Sequence, residues 1–154
     1  MKKLSLLFGM LLMLTSSAFA GGILNVKTIN VRNLNAYEGK YVTAFYLSAR
    51  ASGFSYGNAT PRVNRVLKKT APIKIVGGKA TLPRTQVVQE GYYLFNYMKI
   101  VIHNAPVNIV LKNIDGSIPS GQSRTGETKY AKGFYVSKEK LGSLNSPAPV
   151  SITP

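Results

Sequence analysis

The sequence contains no cysteine, five carboxylates and one histidine. Without cysteine there is no disulfide to brace the chain, no thiol nucleophile and no thiolate metal site. The acylated cysteine that tethers bacterial lipoproteins behind their leader is missing too. The carboxylates are Glu38, Glu90, Asp115, Glu127 and Glu139, each in an expected turn, link or flank and none paired in sequence. Glycoside hydrolysis needs two carboxylates at a fixed separation, which only a fold that joined Glu38 to Glu90 would supply. His103 ends an apolar run, the setting of a structural imidazole, and base catalysis would need a nucleophile or carboxylate beside it. One imidazole without a thiolate argues against a transition-metal site, and no cofactor is expected. Serine and lysine are plentiful, which leaves a Ser–Lys dyad open, but the pattern as a whole points away from an enzyme.

Long uninterrupted apolar runs are also scarce. The first is at the N-terminus, where Lys2 and Lys3 precede apolar Leu4–Leu14 and the segment ends in Ala18-Phe19-Ala20. That is the layout of a cleaved signal peptide over residues 1–20, and the apolar part is short for a membrane anchor. Removing 20 of 154 residues leaves 134, from Gly21 to Pro154, the size of one ordinary domain. The chain is therefore expected to be exported: periplasmic, cell-surface or secreted, without a Cys-linked lipid.

The second run, Tyr92–Lys112, is cut by Asn96, Lys99, His103, Asn104, Pro106 and Asn108, which argues against a membrane span. Tyr93, Phe95, Tyr97 and Val101 fall on one parity and Tyr92, Leu94, Met98, Ile100 and Ile102 on the other. Apolar residues on both parities mark a strand covered on both faces, and Tyr, Ile and Val favour strand over helix. Asn104–Pro106 is a break, so two core strands are expected, the second over Val107–Lys112.

What the chain has in excess is positive charge. Lys and Arg number 20 against 5 Asp and Glu; without Lys2 and Lys3 the ratio is 18 to 5, a net charge of +13. A field of that sign favours anionic polysaccharide, lipopolysaccharide, nucleic acid or a phospholipid surface. A net charge of about 2–8 already suffices for solubility in a small domain, so the surplus points to a partner.

Taken in order, Ile23–Leu34 reads as a half-buried strand, Glu38–Lys40 as a turn and Tyr41–Ser48 as a strand apolar on both parities, the two strands pairing as a hairpin. Ala49–Pro61 is a loop that carries Phe54 and Tyr56, either tucked into the core or exposed as a stacking platform between Arg50 and Arg62. Arg62–Thr70 fits a short helix after Thr60-Pro61 or a strand. In either form Arg62, Arg65, Lys68 and Lys69 make the densest cationic cluster, hence the first candidate anion contact. Ile73–Pro83 is a hairpin turning at Gly77-Gly78. Asn113–Thr128 is turn-rich, a last strand lies around Phe134–Val136, and Lys129 and Lys132 start a second cationic cluster. Residues 143–154, with Pro147, Pro149 and Pro154, form a Pro-rich C-terminal tail after a domain at 21–142.

Two segments carry a resemblance. Ile29-Asn30-Val31, Leu34, Tyr37 and Gly39-Lys40-Tyr41, then Ile73–Pro83 with its Gly-Gly-Lys-Ala-Thr-Leu-Pro, resemble small exported β-sandwich proteins of host-associated bacteria. The resemblance spans about Ile29–Pro83 and implies a fold; it transfers no functional residue.

The expectation is an all-β protein: a single antiparallel β-sandwich, immunoglobulin-like or similar, of about seven strands. Its expected role is a non-enzymatic binding module for anionic polymer or envelope surface, through Arg62, Arg65, Lys68 and Lys69 with Lys129, Lys132, Phe54 and Tyr56. The alternative is a structural or adhesin-type protein that binds another protein through a sheet edge. Inhibition of a secreted acidic enzyme is a third reading.

Overall fold

The computed structural model describes residues 21–51, 61–111 and 130–153, where the β-branched and aromatic runs become ten strands. They are β1 (Ile23–Val26), β2 (Ile29–Arg32), β3 (Tyr41–Ala51), β4 (Pro61–Lys69), β5 (Ile73–Lys74), β6 (Ala80–Leu82), β7 (Thr85–Val88), β8 (Tyr97–His103), β9 (Tyr130–Ser137) and β10 (Val150–Ser151). A 3-10 turn covers Asn35–Tyr37, and one helical turn, α1 (Lys138–Leu141), follows β9. The leader, Phe54, Tyr56, Lys129 and the Asn113–Thr128 turns lie outside the described residues. No helix among the described residues is long and apolar enough to cross a membrane.

The architecture is the expected all-β sandwich. The larger sheet runs β4-β3-β8-β9, with β5 also on β3; a second sheet runs β10-β2-β6; β1 and β7 form a separate ribbon. All pairings are antiparallel except β10 on β2. The main core fills the space between layers. Val42, Ala44, Tyr46, Met98, Ile100 and Ile102 of the larger sheet meet Ile29, Val31, Leu82, Val150 and Ile152 of the second sheet and its flank, with Val26 and Val87 from the ribbon.

The opposite face of the larger sheet is buried as well. Phe45, Leu47, Ala49, Val63 and Val101 pack with Ile109, and Val107 and Leu111 lie against them. This is why β3 and β8 are apolar on both parities.

The structure corrects four local expectations. The apolar stretch enters β8 only at Tyr97: Tyr92, Tyr93 and Leu94 are exposed on a turn, and Phe95 alone of that group is buried. Val107–Leu111 forms no ladder and serves as cover. Ile23–Leu34 is two strands in two sheets, split at Lys27-Thr28, and neither pairs with β3. The Gly77-Gly78 turn closes through a Val76–Lys79 bridge, but its arms diverge, β5 to β3 and β6 to β2.

That divergence has an identifiable anchor. Both Glu38 carboxylate oxygens accept backbone N–H bonds from the turn, Gly77 at 2.9 Å and Gly78 at 2.8 Å. Both glycines have positive φ, which aims successive N–H groups at one anion. These bonds, helped by Lys74, hold the Glu38 carboxyl below its ordinary value. The Leu34 amide bonds the Gly78 carbonyl at 2.9 Å, so the chain between β2 and β3 is tied to the turn that joins the two layers.

The Pro-rich tail belongs to the core. Val150 pairs with Val31 in parallel, Val150 and Ile152 are buried, and the Asn33 side chain donates to the Ile152 carbonyl at 2.7 Å. Pro147 and Pro149 stand outside β10, so they remove no bond from it.

One polar atom in this core stands out. The Tyr46 ring is fully buried, edge-on to Phe95 at 5.3 Å, and its hydroxyl has no hydrogen-bond partner among the described residues. Burial pushes the phenol up to about 12. A buried unpaired hydroxyl costs about 1–3 kcal/mol. Tyr46→Phe should therefore raise the urea midpoint with an unchanged slope; a loss of stability would mean that the hydroxyl is satisfied.

Candidate anion-binding groove

Strand β4 is the edge of the larger sheet, and its polar residues are sorted by two bulges. The register pairs Leu47 with Val66 but Tyr46 with Lys68, then Ser48 with Arg65 but Ala49 with Val63. Leu67 and Asn64 are the extra residues. Each bulge resets the alternation, so every third residue, Arg62, Arg65 and Lys68, shares a face with Arg50, Ser48 and Tyr46. That is the side on which the β1–β7 ribbon lies.

The fourth member of the sequence cluster goes the other way. Lys69 is opposite Phe45, and its ammonium donates to Asn108 Oδ1 and to the Ile109 carbonyl at 3.2 Å. It fastens the Val107–Leu111 cover to the reverse face. Lys132 sits in β9 opposite Ile102; its side chain, like Lys129, Phe54 and Tyr56, is outside the described residues.

Along the β4 edge the cations meet different neighbours. Lys68 converges with Lys27 and Arg84 on a cleft of about 460 Å³, completed by Asn25, Val26, Thr85 and Gln86. Among the described residues no carboxylate lines it. Gln86 Nε2 donates to Asn25 Oδ1 at 3.2 Å, which orients the two amides across the β1–β7 pair. Next along the edge, Arg65 pairs with Glu90 at 3.0 Å and lies 5.2 Å from the centre of the Tyr93 ring. Both charged groups are about half exposed, so the pair contributes only about 0.2–1 kcal/mol. Arg50 and Arg62 face each other directly across β3 and β4, both exposed. Like charges in that position repel, and a bound anion would relieve them.

The aromatic members of the groove come from a turn. Tyr93 N–H bonds the Glu90 carbonyl at 3.0 Å, with Gly91 at φ 55. Phe95 is anchored in the core, and its N–H bonds Gln89 Oε1 at 2.9 Å. Asn96 then takes the place of a strand residue: its amide accepts from Ala49 N at 2.7 Å and donates to Ala49 O at 2.6 Å. Held at both ends, the turn presents Tyr92, 98% exposed, beside Tyr93, Asn64 and Arg50 around a second cleft of about 460 Å³.

The structure thus retains Arg62, Arg65 and Lys68 from the sequence cluster and adds Lys27, Arg84, Tyr92 and Tyr93. Lys27 and Arg84 are isolated in sequence, so no local pattern marks them. Glu90-Gly91 ahead of two tyrosines was the available signal for the turn, hidden because the tyrosines continue an apolar run. Lys74 stands elsewhere: it pairs with the start of β3 at Tyr41, about 30 Å along the strand from Arg50 at a rise of ~3.3 Å per residue. Among the described residues no three His, Asp or Glu side chains form a possible metal set. Glu38 is held by the Gly77-Gly78 turn and Glu90 by Arg65, at opposite ends of β3.

His103 is fully buried on the reverse face. Its Nδ1–H donates to the Ala105 carbonyl at 2.7 Å, which leaves Nε2 to accept from the Thr43 hydroxyl at 2.8 Å. Desolvation lowers its pKa, only partly offset by the Ala105 bond. The folded chain thus takes up this proton at lower pH than the unfolded chain, whose imidazole titrates near 6.5. The imidazole's contribution is complete above that value and is lost as pH falls through it towards the folded pKa. His103→Asn should flatten the decline in melting temperature between about pH 7.5 and 5.5; an unaltered slope would assign the decline to other groups.

No protein-family model, curated protein or solved structure matches the chain.

Proposed function

We propose that the protein is an exported, non-enzymatic binding module that holds an anionic polymer or envelope surface through the β4 edge. The observation that carries this reading is the cleft where Lys27, Lys68 and Arg84 converge from three separate elements, with no carboxylate among the described residues of the lining. Three cations brought together repel one another, and a bound anion would reverse the sign of that energy. Arg62 facing Arg50 extends the same arrangement along the edge. The leader pattern of residues 1–20 supports export to the periplasm, cell surface or medium, where anionic polysaccharide and lipopolysaccharide are the polymers at hand.

A second reading rests on a different place. Strand β9 and the C-terminal segment flank a groove of about 490 Å³ lined by Phe134, Tyr135, Val136, Pro149, Val150 and Ile152, with Lys140, Ser151 and Thr153. An extended segment of another protein would bury the apolar part of this lining. Such capture would be largely indifferent to salt.

Retention of the chain from Gly21 onward on heparin and on immobilised lipopolysaccharide, across a salt gradient, separates the two. The wild type should elute well above physiological ionic strength, and Lys27→Gln/Lys68→Gln/Arg84→Gln should elute markedly earlier, because each exposed charge acts only within the ~8 Å screening length. Unchanged elution of the triple variant would remove the cleft from the function. Protein capture that ignores salt would favour the β9 groove.

A further inference from the structure

The groove along β4 is not uniform, and its polarity names a ligand class. Lys68 lies beside Arg84, Thr85 and Gln86; three positions back, Arg65 reaches Glu90 and Tyr93; three further, Arg62 stands opposite Arg50. β4 and the chain from β7 into the Glu90 turn therefore run side by side in opposite directions. Lys68 and Arg62 pair with Tyr46 and Arg50, four residues apart on β3, so at a rise of ~3.3 Å the track is about 13 Å, long enough for a short oligomer.

Cations stand at both ends, Lys27, Lys68 and Arg84 at one and Arg50 and Arg62 at the other. The middle contains a carboxylate, Glu90, about half exposed. The far end presents Tyr92 and Tyr93 with Asn64 and Arg50. Neutral hydrogen-bonding groups line both ends. With Gln86 Nε2 donating to Asn25 Oδ1, Gln86 Oε1 and Asn25 Nδ2 keep an acceptor and a donor for a ligand. Tyr93 has Arg65 over its ring, whereas Tyr92 is almost wholly exposed on a turn fixed by Gln89 and Phe95.

A polymer charged at every unit would gain little at the middle of the track, where Glu90 already neutralises Arg65. A polymer of neutral rings would leave the cations at both ends unmatched. Pyranose rings satisfy the remainder: their C–H faces stack on tyrosine, and their hydroxyls donate and accept, as amides require. We infer that the groove binds an anionic glycan with its phosphate, sulfate or carboxylate in the Lys27–Lys68–Arg84 cleft and a sugar ring on Tyr92 and Tyr93. This inference rests on the anion-binding reading above and adds the chemistry and direction of the ligand.

The test measures affinity of the chain from Gly21 onward for four probes at two salt concentrations. They are a phosphorylated disaccharide of the lipid A type, a sulfated heparin tetrasaccharide, inorganic polyphosphate and a single-stranded oligonucleotide. The two glycans distinguish the source of the charge, envelope lipid or acidic polysaccharide. At least one glycan should bind more tightly than polyphosphate. Tyr92→Ala and Tyr92→Ala/Tyr93→Ala should weaken that glycan, the double variant by about tenfold or more, and leave polyphosphate unchanged. Lys27→Gln/Lys68→Gln/Arg84→Gln should weaken both and flatten the salt dependence. Tyr92 packs against nothing in the core, so its single variant reports binding even where the double variant is unstable. If polyphosphate matches the glycans and the tyrosine variants change nothing, the glycan inference falls and the anion-binding reading stands. If the oligonucleotide is preferred to both glycans, the ligand class is nucleic acid and the inference is overturned. If no probe is retained, both fall together.

Discussion

The fold depends on β3 and β8 being covered on both faces. A strand in that position has no polar side to give to water, so both of its parities must find apolar partners. On one side the second sheet and the ribbon supply them, through Ile29, Val31, Leu82 and Val87. On the other, the task falls to a segment without a ladder, Val107–Leu111, held down by Lys69 through Asn108 and the Ile109 carbonyl. His103 shows the same constraint at one end of β8. It is fully buried, and it is tolerated there because Thr43 and the Ala105 carbonyl satisfy both ring nitrogens.

Function, in the reading proposed above, belongs to the edge of the same sheet. Among the described residues β4 has a neighbour on one side only, so it can carry bulges that a central strand would not accommodate. The two bulges convert a sequence with no clear period into a row of cations on one face, with Val63 and Val66 still turned to the apolar side. Opposite this row, the ribbon brings Lys27 and Arg84, and the turn after β7 brings two tyrosines. The groove is thus a meeting of elements none of which would carry it alone.

The strand content of the chain was legible because β-branched and aromatic residues cluster. The coverage of β3 and β8 on both faces was legible because apolar residues occupy both parities. Pairing was less so. The Gly77-Gly78 turn reads as a hairpin, and its immediate closure is one, yet Glu38 and Leu34 direct its arms to different layers. The Pro-rich end reads as a tail because proline is rare in strands, but Val150 and Ile152 beyond it fill the core. Tyr92–Leu94 reads as core because hydropathy does not report which apolar residues a Gly91 turn carries outwards.

For the candidate site the division is sharper. Composition determined the sign of the field, and the spacing of Arg62, Arg65 and Lys68 marked one side of the groove. Bulges decide which of these residues share a face, since a single extra residue inverts everything after it. The packing of β4 beside the β1–β7 ribbon decides that Lys27 and Arg84 join them, from positions 41 residues upstream of Lys68 and 16 downstream in the sequence. Charge and hydropathy are properties of residues and add along a chain, so they can be read from it. Proximity between distant residues arises only when burial fixes one register out of many, and that is settled in three dimensions.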